Sequence, residues 1–336
     1  MKIKKSHLLS TTLLFTALQG CSWLPINKGK LEGRYWCNDR YIDMVAEHQD
    51  PIGPKLKNKL NLAQRGYLYS TAAVLTLQKE NSDPDFNFKK PDYLTEITSL
   101  TEDQSNGFQA TTYIHKDPRT GTPLEAIIAF RGSDQIFKDY ILHNFSPWPI
   151  QFKPARDYVK KVSRDPATKG LKLIVTGYSL GGGLAVHVTK NPETSNYISQ
   201  AWAFNPSWRI GDVNENTDPR IFLMANKYEV LNAHDRSKIG APASQTDTDY
   251  DLVRSSAIYG HYRWVLERDI LIYADFADYV DSGRTAKTTQ PSEILKTQAK
   301  NICAPETELE IQKERKAYNN NHVLIQESPE MHDTKF

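Results

Sequence analysis

The stretch Leu171 to Lys190, LKLIVTGYSLGGGLAVHVTK, restricts the possible folds more than any other part of the chain. Its first residues, Leu171 to Thr176, form an apolar, partly β-branched run that predicts a buried strand, and Leu180 to Lys190 predicts a helix. Between them lies Gly177-Tyr178-Ser179-Leu180-Gly181, followed at once by two more glycines. Glycine inside a helix costs roughly 1 kcal/mol against alanine, so three in succession at a helix start need a reason. A sharp strand-to-helix turn supplies one. It puts a serine at its apex, with glycines two residues to either side so that strand and helix can pack closely. The helix N-terminus then points its free N–H groups at the serine, where they can stabilise a developing oxyanion. Chance alone places GxSxG in roughly one chain of this length in ten, so context must carry the argument.

That context is an alternation of strands and helices. Asn58 to Lys79 predicts a helix, with Leu60, Ala63, Tyr67, Ala72, Leu75 and Leu77 at roughly helical spacing. Gly107 to His115 alternates as a strand, with Phe108, Ala110, Thr112 and Ile114 on one side. DPRTG makes a turn, and Leu124 to Phe130 returns as the second arm of a hairpin. Ala155, Tyr158, Val159 and Val162 mark an amphipathic helix. Ser199 to Phe204 and Ile221 to Ala225 are short apolar runs, and Tyr262 to Tyr273 predicts a helix. Alternation from about residue 124 to 275 implies a mostly parallel central sheet with helices on both faces, an α/β fold.

A second motif precedes the first. AIIAFRGSDQIF carries a strand ending in Phe130-Arg131-Gly132-Ser133. With GYSLGG behind it on matching elements, the chain resembles the class 3 lipases, the fungal-lipase-like branch of the α/β-hydrolases. GFQATTYIHKD also looks like that family's strand ahead of the first motif. The resemblance covers roughly residues 60–270 and implies an α/β-hydrolase fold with a serine esterase site. It implies Ser179 as nucleophile and the backbone N–H groups of Ser133 and Leu180 as oxyanion donors. Arg131 reads better as a structural hydrogen-bonding residue.

Such a site needs a base and then an acid to orient it, in the chain order serine, acid, histidine. Five histidines follow Ser179. His187 lies two turns along the helix that Ser179 precedes and cannot fold back, and His322 and His332 sit in a polar tail. His261, in IYGHYRWVLERD, lies just ahead of a helix, as the family's base does, with His234 as runner-up. For the acid, RIFLMAN leads to KYEVLNAHD. The family has Asp followed after one residue by Val at this strand end, whereas here Glu229 is followed directly by Val230. Glutamate serves the same role, but the departure keeps Asp235 as an alternative, with Asp212 behind both. Ile136 to Phe152 is rich in aromatic and aliphatic residues and corresponds to the family's lid, although the same pattern suits an amphipathic core helix. No Cys/His spacing suits zinc, and neither metal nor cofactor is expected.

The chain's start bears on location. Lys2, Lys4 and Lys5 precede an apolar run from Leu8 to Leu18, too short to span a bilayer, in the manner of a signal peptide. Leu18-Gln19-Gly20-Cys21 resembles the lipobox of bacterial lipoproteins, which implies removal of residues 1–20 and acylation of Cys21; simple secretion is the alternative. By the same resemblance Ser22 leans towards the outer membrane. Residues 1–20 hold three lysines and no acid, so the balance of 42 basic to 40 acidic residues becomes 39 to 40. A near-neutral chain gives no reason to expect a nucleic acid partner. In an oxidising envelope the two other cysteines, Cys37 and Cys303, are expected to pair, or else to stay as buried thiols.

These expectations divide the chain into a signal peptide (1–20), a tether and irregular segment (21–55), a lipase-like domain (56–280) and a polar C-terminal extension (281–336). They point to an envelope-anchored ester hydrolase of the lipase or phospholipase type, with a lipid or acyl ester as substrate and the membrane reached through Cys21. A small-molecule esterase or thioesterase, and a non-catalytic lipoprotein on a hydrolase scaffold, are the alternatives.

Overall fold

The computed structural model describes residues 54–78, 87–105, 107–132, 151–226, 229–233, 236–242, 261–283, 285–286 and 288–297. The expectations for Cys21, Cys37, Cys303, Ser133, Asp235, His234, His322, His332, the signal peptide and residues 136–150 lie outside them.

Among the described residues, seven strands form one sheet: β1 (Leu94–Glu96), β2 (Glu102–Asp103), β3 (Gln109–Lys116), β4 (Pro123–Phe130), β5 (Lys172–Tyr178), β6 (Ile198–Phe204) and β7 (Ile221–Met224). Their order is β1-β3-β4-β5-β6-β7, with β2 also paired to β3. The sheet is mixed: the strands within 124–275 are parallel, as their alternation with helices implies, and the strands ahead of them add an antiparallel part. β4 to β7 run parallel, while β1, β2 and β4 each pair antiparallel with β3. The connection between β3 and β4 explains the reversal, because a parallel pairing needs a crossover of a dozen or more residues. Here the chain turns within 117–122, where the Asp117 carboxylate accepts the N–H groups of Arg119 and Thr120 and Gly121 takes a left-handed φ of 71°.

Alternation along each strand sorts side chains to two faces. Ile127, Ala129, Ile174, Trp202, Phe204, Phe222 and Met224 join one core, beneath helices α1 (Pro54–Gln78) and α4 (Arg263–Asp281). Ala126, Ile128, Phe130, Val175, Ala201, Ala203 and Leu223 join the other, beneath α2 (Phe152–Arg164) and α3 (Leu180–Lys190). Helices therefore cover both faces of an α/β structure. Burying each of the larger side chains, such as Ile127, Phe130 or Leu223, contributes about 1.5–3 kcal/mol against leaving it exposed.

α1 packs along α4 and across β4 and β5. It does so closely because Gly66 has no side chain: a Cβ there would stand 2.6 Å from the Trp202 ring. That ring stacks on Phe222 at 4.3 Å and on Tyr69 at 5.2 Å. α2 buries Ala155, Tyr158, Val159 and Val162, the stripe expected from its sequence. α4 continues past the predicted end at Tyr273 to Asp281. A short helix, α5 (Gln290–Leu295), capped by the Thr289 hydroxyl, packs on α4 from within the polar C-terminal stretch. Phe152, the last residue of the expected lid, opens α2 and packs against His187 with ring centroids 4.4 Å apart.

Candidate active site

The site gathers at the carboxyl ends of β4 to β7, where open α/β sheets receive their ligands. β5 ends at Tyr178, and Ser179 follows with φ 55° and ψ −121°. This region is costly for a residue with a Cβ, by about 1–3 kcal/mol, and persists only where the surroundings over-determine it. They do so here. The Ser179 N–H donates to the Phe204 carbonyl at 2.9 Å, and its own carbonyl accepts the N–H groups of Gly183 at 3.2 Å and Ser207 at 2.9 Å.

The flanking glycines answer to space. A Cβ at Gly177 would lie 2.2 Å from the Gly181 carbonyl carbon, and one at Gly181 would lie 2.2 Å from the Phe130 carbonyl oxygen. The strand, the helix and the end of β4 thus meet backbone to backbone. Gly132 is pressed against the same turn, since a Cβ on it would stand 2.4 Å from the Tyr178 carbonyl oxygen and 3.3 Å from the Ser179 Cβ. Leu180 begins α3, where an N–H has no carbonyl four residues behind it to bond.

His261 arrives just ahead of α4. Its Nε2 lies 3.1 Å from the Ser179 Oγ and its Nδ1 lies 2.6 Å from Glu229 Oε2. A carboxylate only accepts, so Nδ1 carries the proton and Nε2 presents its lone pair to the serine hydroxyl. Ser179 is 2% exposed and the Glu229 side chain is fully buried, while the His261 side chain keeps 16% of its surface. Glu229 follows β7, and donors meet both of its carboxylate oxygens. Oε2 accepts from His261 and from the Leu231 N–H at 2.9 Å, and Oε1 accepts from Arg236 Nη2. Arg236 Nε donates in turn to the Pro206 carbonyl at 3.1 Å. Burial works to raise the Glu229 pKa; the hydrogen bond and charge of His261, the Arg236 guanidinium and the Leu231 N–H outweigh it and hold the carboxyl below its ordinary value.

A second chain of bonds fixes the histidine from behind. The Tyr178 hydroxyl donates to the main-chain carbonyl of His261, and accepts from Asn205 Nδ2 at 2.6 Å. Asn205 Oδ1 in turn accepts the Asn226 N–H at 2.8 Å. Asn205 is fully buried at φ 39°, a left-handed conformation that asparagine tolerates better than most residues.

The structure brings Ser179, His261 and Glu229 into hydrogen-bond contact. Asp212 is exposed on the loop between β6 and β7, and the His261 Nδ1 bond goes to Glu229. His187 is buried in α3, with Nδ1 bonded to the Ile210 carbonyl at 2.8 Å and Nε2 to Arg156 Nη1 at 2.9 Å. Burial, and then the Arg156 charge, push its pKa down to about 4 against the pull of that carbonyl, so the ring is a neutral structural strut. Arg131 bonds the Gln109 side chain on β3. Sequence reasoning does not reach Arg236, Tyr178 or Asn205; of the three, only Tyr178 lies within a recognisable motif. Among the described residues, no group of three or more His, Cys, Asp or Glu side chains is placed to hold a metal ion, and no helix is long and apolar enough to cross a membrane. No protein-family model matches the chain and no curated protein matches it, so the functional reading rests on this geometry and on the sequence motifs.

Proposed function

We propose that the chain is a serine ester hydrolase of the lipase or phospholipase type, on an α/β-hydrolase fold related to the class 3 lipases. We place it in a bacterial cell envelope, held by acyl chains on Cys21. The observation that carries the enzymatic reading is the continuous relay from Glu229 through His261 to Ser179, with the serine at the apex of a strained turn.

In this reading the Ser179 Oγ attacks the ester carbonyl carbon while His261 Nε2 takes the hydroxyl proton. Glu229 keeps the proton on Nδ1 and offsets the imidazolium charge. The carbonyl oxygen becomes an oxyanion, for which the Leu180 N–H stands ready at the start of α3 and the Ser133 N–H is the proposed second donor. The close approach of Gly132 to the Ser179 turn supports that pairing, because it brings the end of the Phe130-Arg131-Gly132 segment to the nucleophile. Collapse breaks the bond to the alkoxy oxygen, which leaves with the proton from His261. Water, deprotonated by the same nitrogen, then cleaves the acyl-serine and releases the acid.

The test is covalent labelling of the full chain in detergent by a fluorophosphonate, followed by hydrolysis of p-nitrophenyl esters from acetyl to palmitoyl. Labelling that disappears in Ser179→Ala, with rates rising along the acyl series, is the expected result. Absence of labelling in the wild-type chain overturns the enzyme reading, and a rate that falls with acyl length replaces the lipid substrate with a small soluble ester.

A further inference from the structure

Arg236 stands outside the relay, yet its guanidinium also bonds the buried carboxylate. Its side chain is 10% exposed against none for Glu229. The two carboxylate oxygens are divided: Oε1 accepts from the Arg236 guanidinium, and Oε2 accepts from the Leu231 N–H and His261 Nδ1. The same guanidinium is braced by the Pro206 carbonyl, on the loop whose next residue bonds the Ser179 carbonyl. Its position is therefore referred to the nucleophile's own turn.

Two consequences follow from chemistry alone. Donors on both oxygens fix the carboxylate plane, and so fix where the imidazole must sit to bond Oε2. A guanidinium on a desolvated carboxylate also offsets part of the field that would otherwise favour a charged imidazole. On the other side of the imidazole, Tyr178 from β5 packs its ring 5.6 Å from His261 and donates to that residue's main-chain carbonyl, and so does not reach Oε1.

We propose that Arg236 is a positioning residue of this site, which orients Glu229 from Pro206 and shares the carboxylate's charge with His261. The proposal rests on the hydrolase reading, but it has a readout that does not.

The experiment compares full-length wild type, Arg236→Gln and Arg236→Lys by NMR titration of the His261 ring and by the pH profile of p-nitrophenyl ester hydrolysis. In Arg236→Gln the ring titration and the acid limb of kcat/KM are expected to move up together by roughly one pH unit. Arg236→Lys keeps the charge and loses the fork, so its limb stays near wild type while kcat falls about tenfold at unchanged KM. An Arg236→Gln protein that titrates as wild type overturns the proposal. If that variant does not fold, Arg236→Lys decides: a lower kcat at wild-type KM supports the role, and wild-type turnover ends it. Should the wild-type chain hydrolyse nothing, the hydrolase reading fails, while the ring titrations still show whether Arg236 opposes Glu229 at His261.

Discussion

The Tyr178 hydroxyl donates a hydrogen bond to the main-chain carbonyl of His261, so the residue before the serine holds the backbone of the histidine that faces that serine. Because the tyrosine is itself fixed by Asn205 at the end of the neighbouring strand, the spacing between serine and imidazole is set by the sheet and not by the loop ahead of α4 alone.

Removing that hydroxyl should separate positioning from binding. Tyr178→Phe keeps the ring and its 5.6 Å packing against His261, but strands the buried Asn205 amide. A stability loss of about 1–3 kcal/mol is expected. kcat should fall about tenfold or more with KM little changed. Chemical denaturation together with steady-state kinetics checks both, and a wild-type kcat would mean that the bond has no part in placing His261.

Glu229→Gln retains shape and removes charge. It leaves Arg236 without its buried counter-ion, which typically costs about 3–5 kcal/mol. It also lets the imidazole adopt the wrong tautomer, for a drop of about 10³–10⁴ in kcat. The pH dependence carries its own sign. A carboxyl held below its ordinary pKa adds stability above the unfolded-state value, and loses it as pH falls through the folded one. Urea melts of wild type should weaken below the ordinary carboxylate range more steeply than those of Glu229→Gln.

Glu267 predicts the opposite slope. It is fully buried in α4, where the Ser70 and Thr71 hydroxyls of α1 donate to its carboxyl oxygens. Burial pushes its pKa up to about 7, with the two hydroxyls and Arg263 pulling back only part of the way. The native state thus binds this proton more tightly than the unfolded chain does, and its contribution is lost as pH rises from the unfolded value through about 7. Glu267→Gln removes the dependence. Measured against wild type, the variant should gain a few kcal/mol of relative stability between roughly pH 5 and pH 8. Parallel pH slopes in the two denaturation series would falsify the assignment.

Two glycines distinguish crowding from conformation. Gly181→Ala forces a Cβ to within 2.2 Å of the Phe130 carbonyl oxygen, with backbone on both sides and nowhere to yield. It should cost well over about 3 kcal/mol and abolish fluorophosphonate labelling. At Gly121 nothing lies within 4 Å of an added Cβ, and only the left-handed φ is at stake. Gly121→Ala should therefore cost about 1–2 kcal/mol and leave labelling intact. Equal melting losses in the two variants would contradict the packing account.

What can be read from the sequence follows from how local each signal is. The turn at Ser179 is legible because its glycines, its strand and its helix are contiguous. The β3–β4 hairpin is legible for the same reason, through DPRTG and the alternation on either side. β1 and β2 are three and two residues long, too short to show a period of two, and so the outer antiparallel strands leave little trace in the pattern. The far end of α4 is masked by Asp275, Asp278 and Asp281, which break its apolar spacing; Asp275 is in fact buried and accepts a hydrogen bond from Thr289. Arg236 and Glu229 lie seven positions apart with a 3-10 turn, Val230–Ala233, between them, and the sequence there carries neither a strand nor an α-helix pattern to mark them as partners. Asn205 is informative only once β6 is laid beside β5.

Three consecutive residues at the end of β6 reach all three members of the relay. Asn205 connects to His261 through Tyr178, Pro206 to Glu229 through Arg236, and the Ser207 N–H bonds the Ser179 carbonyl directly. These bonds make the tripeptide a common reference for serine, base and acid: any change that displaces it acts on all three at once, and not on one of them alone.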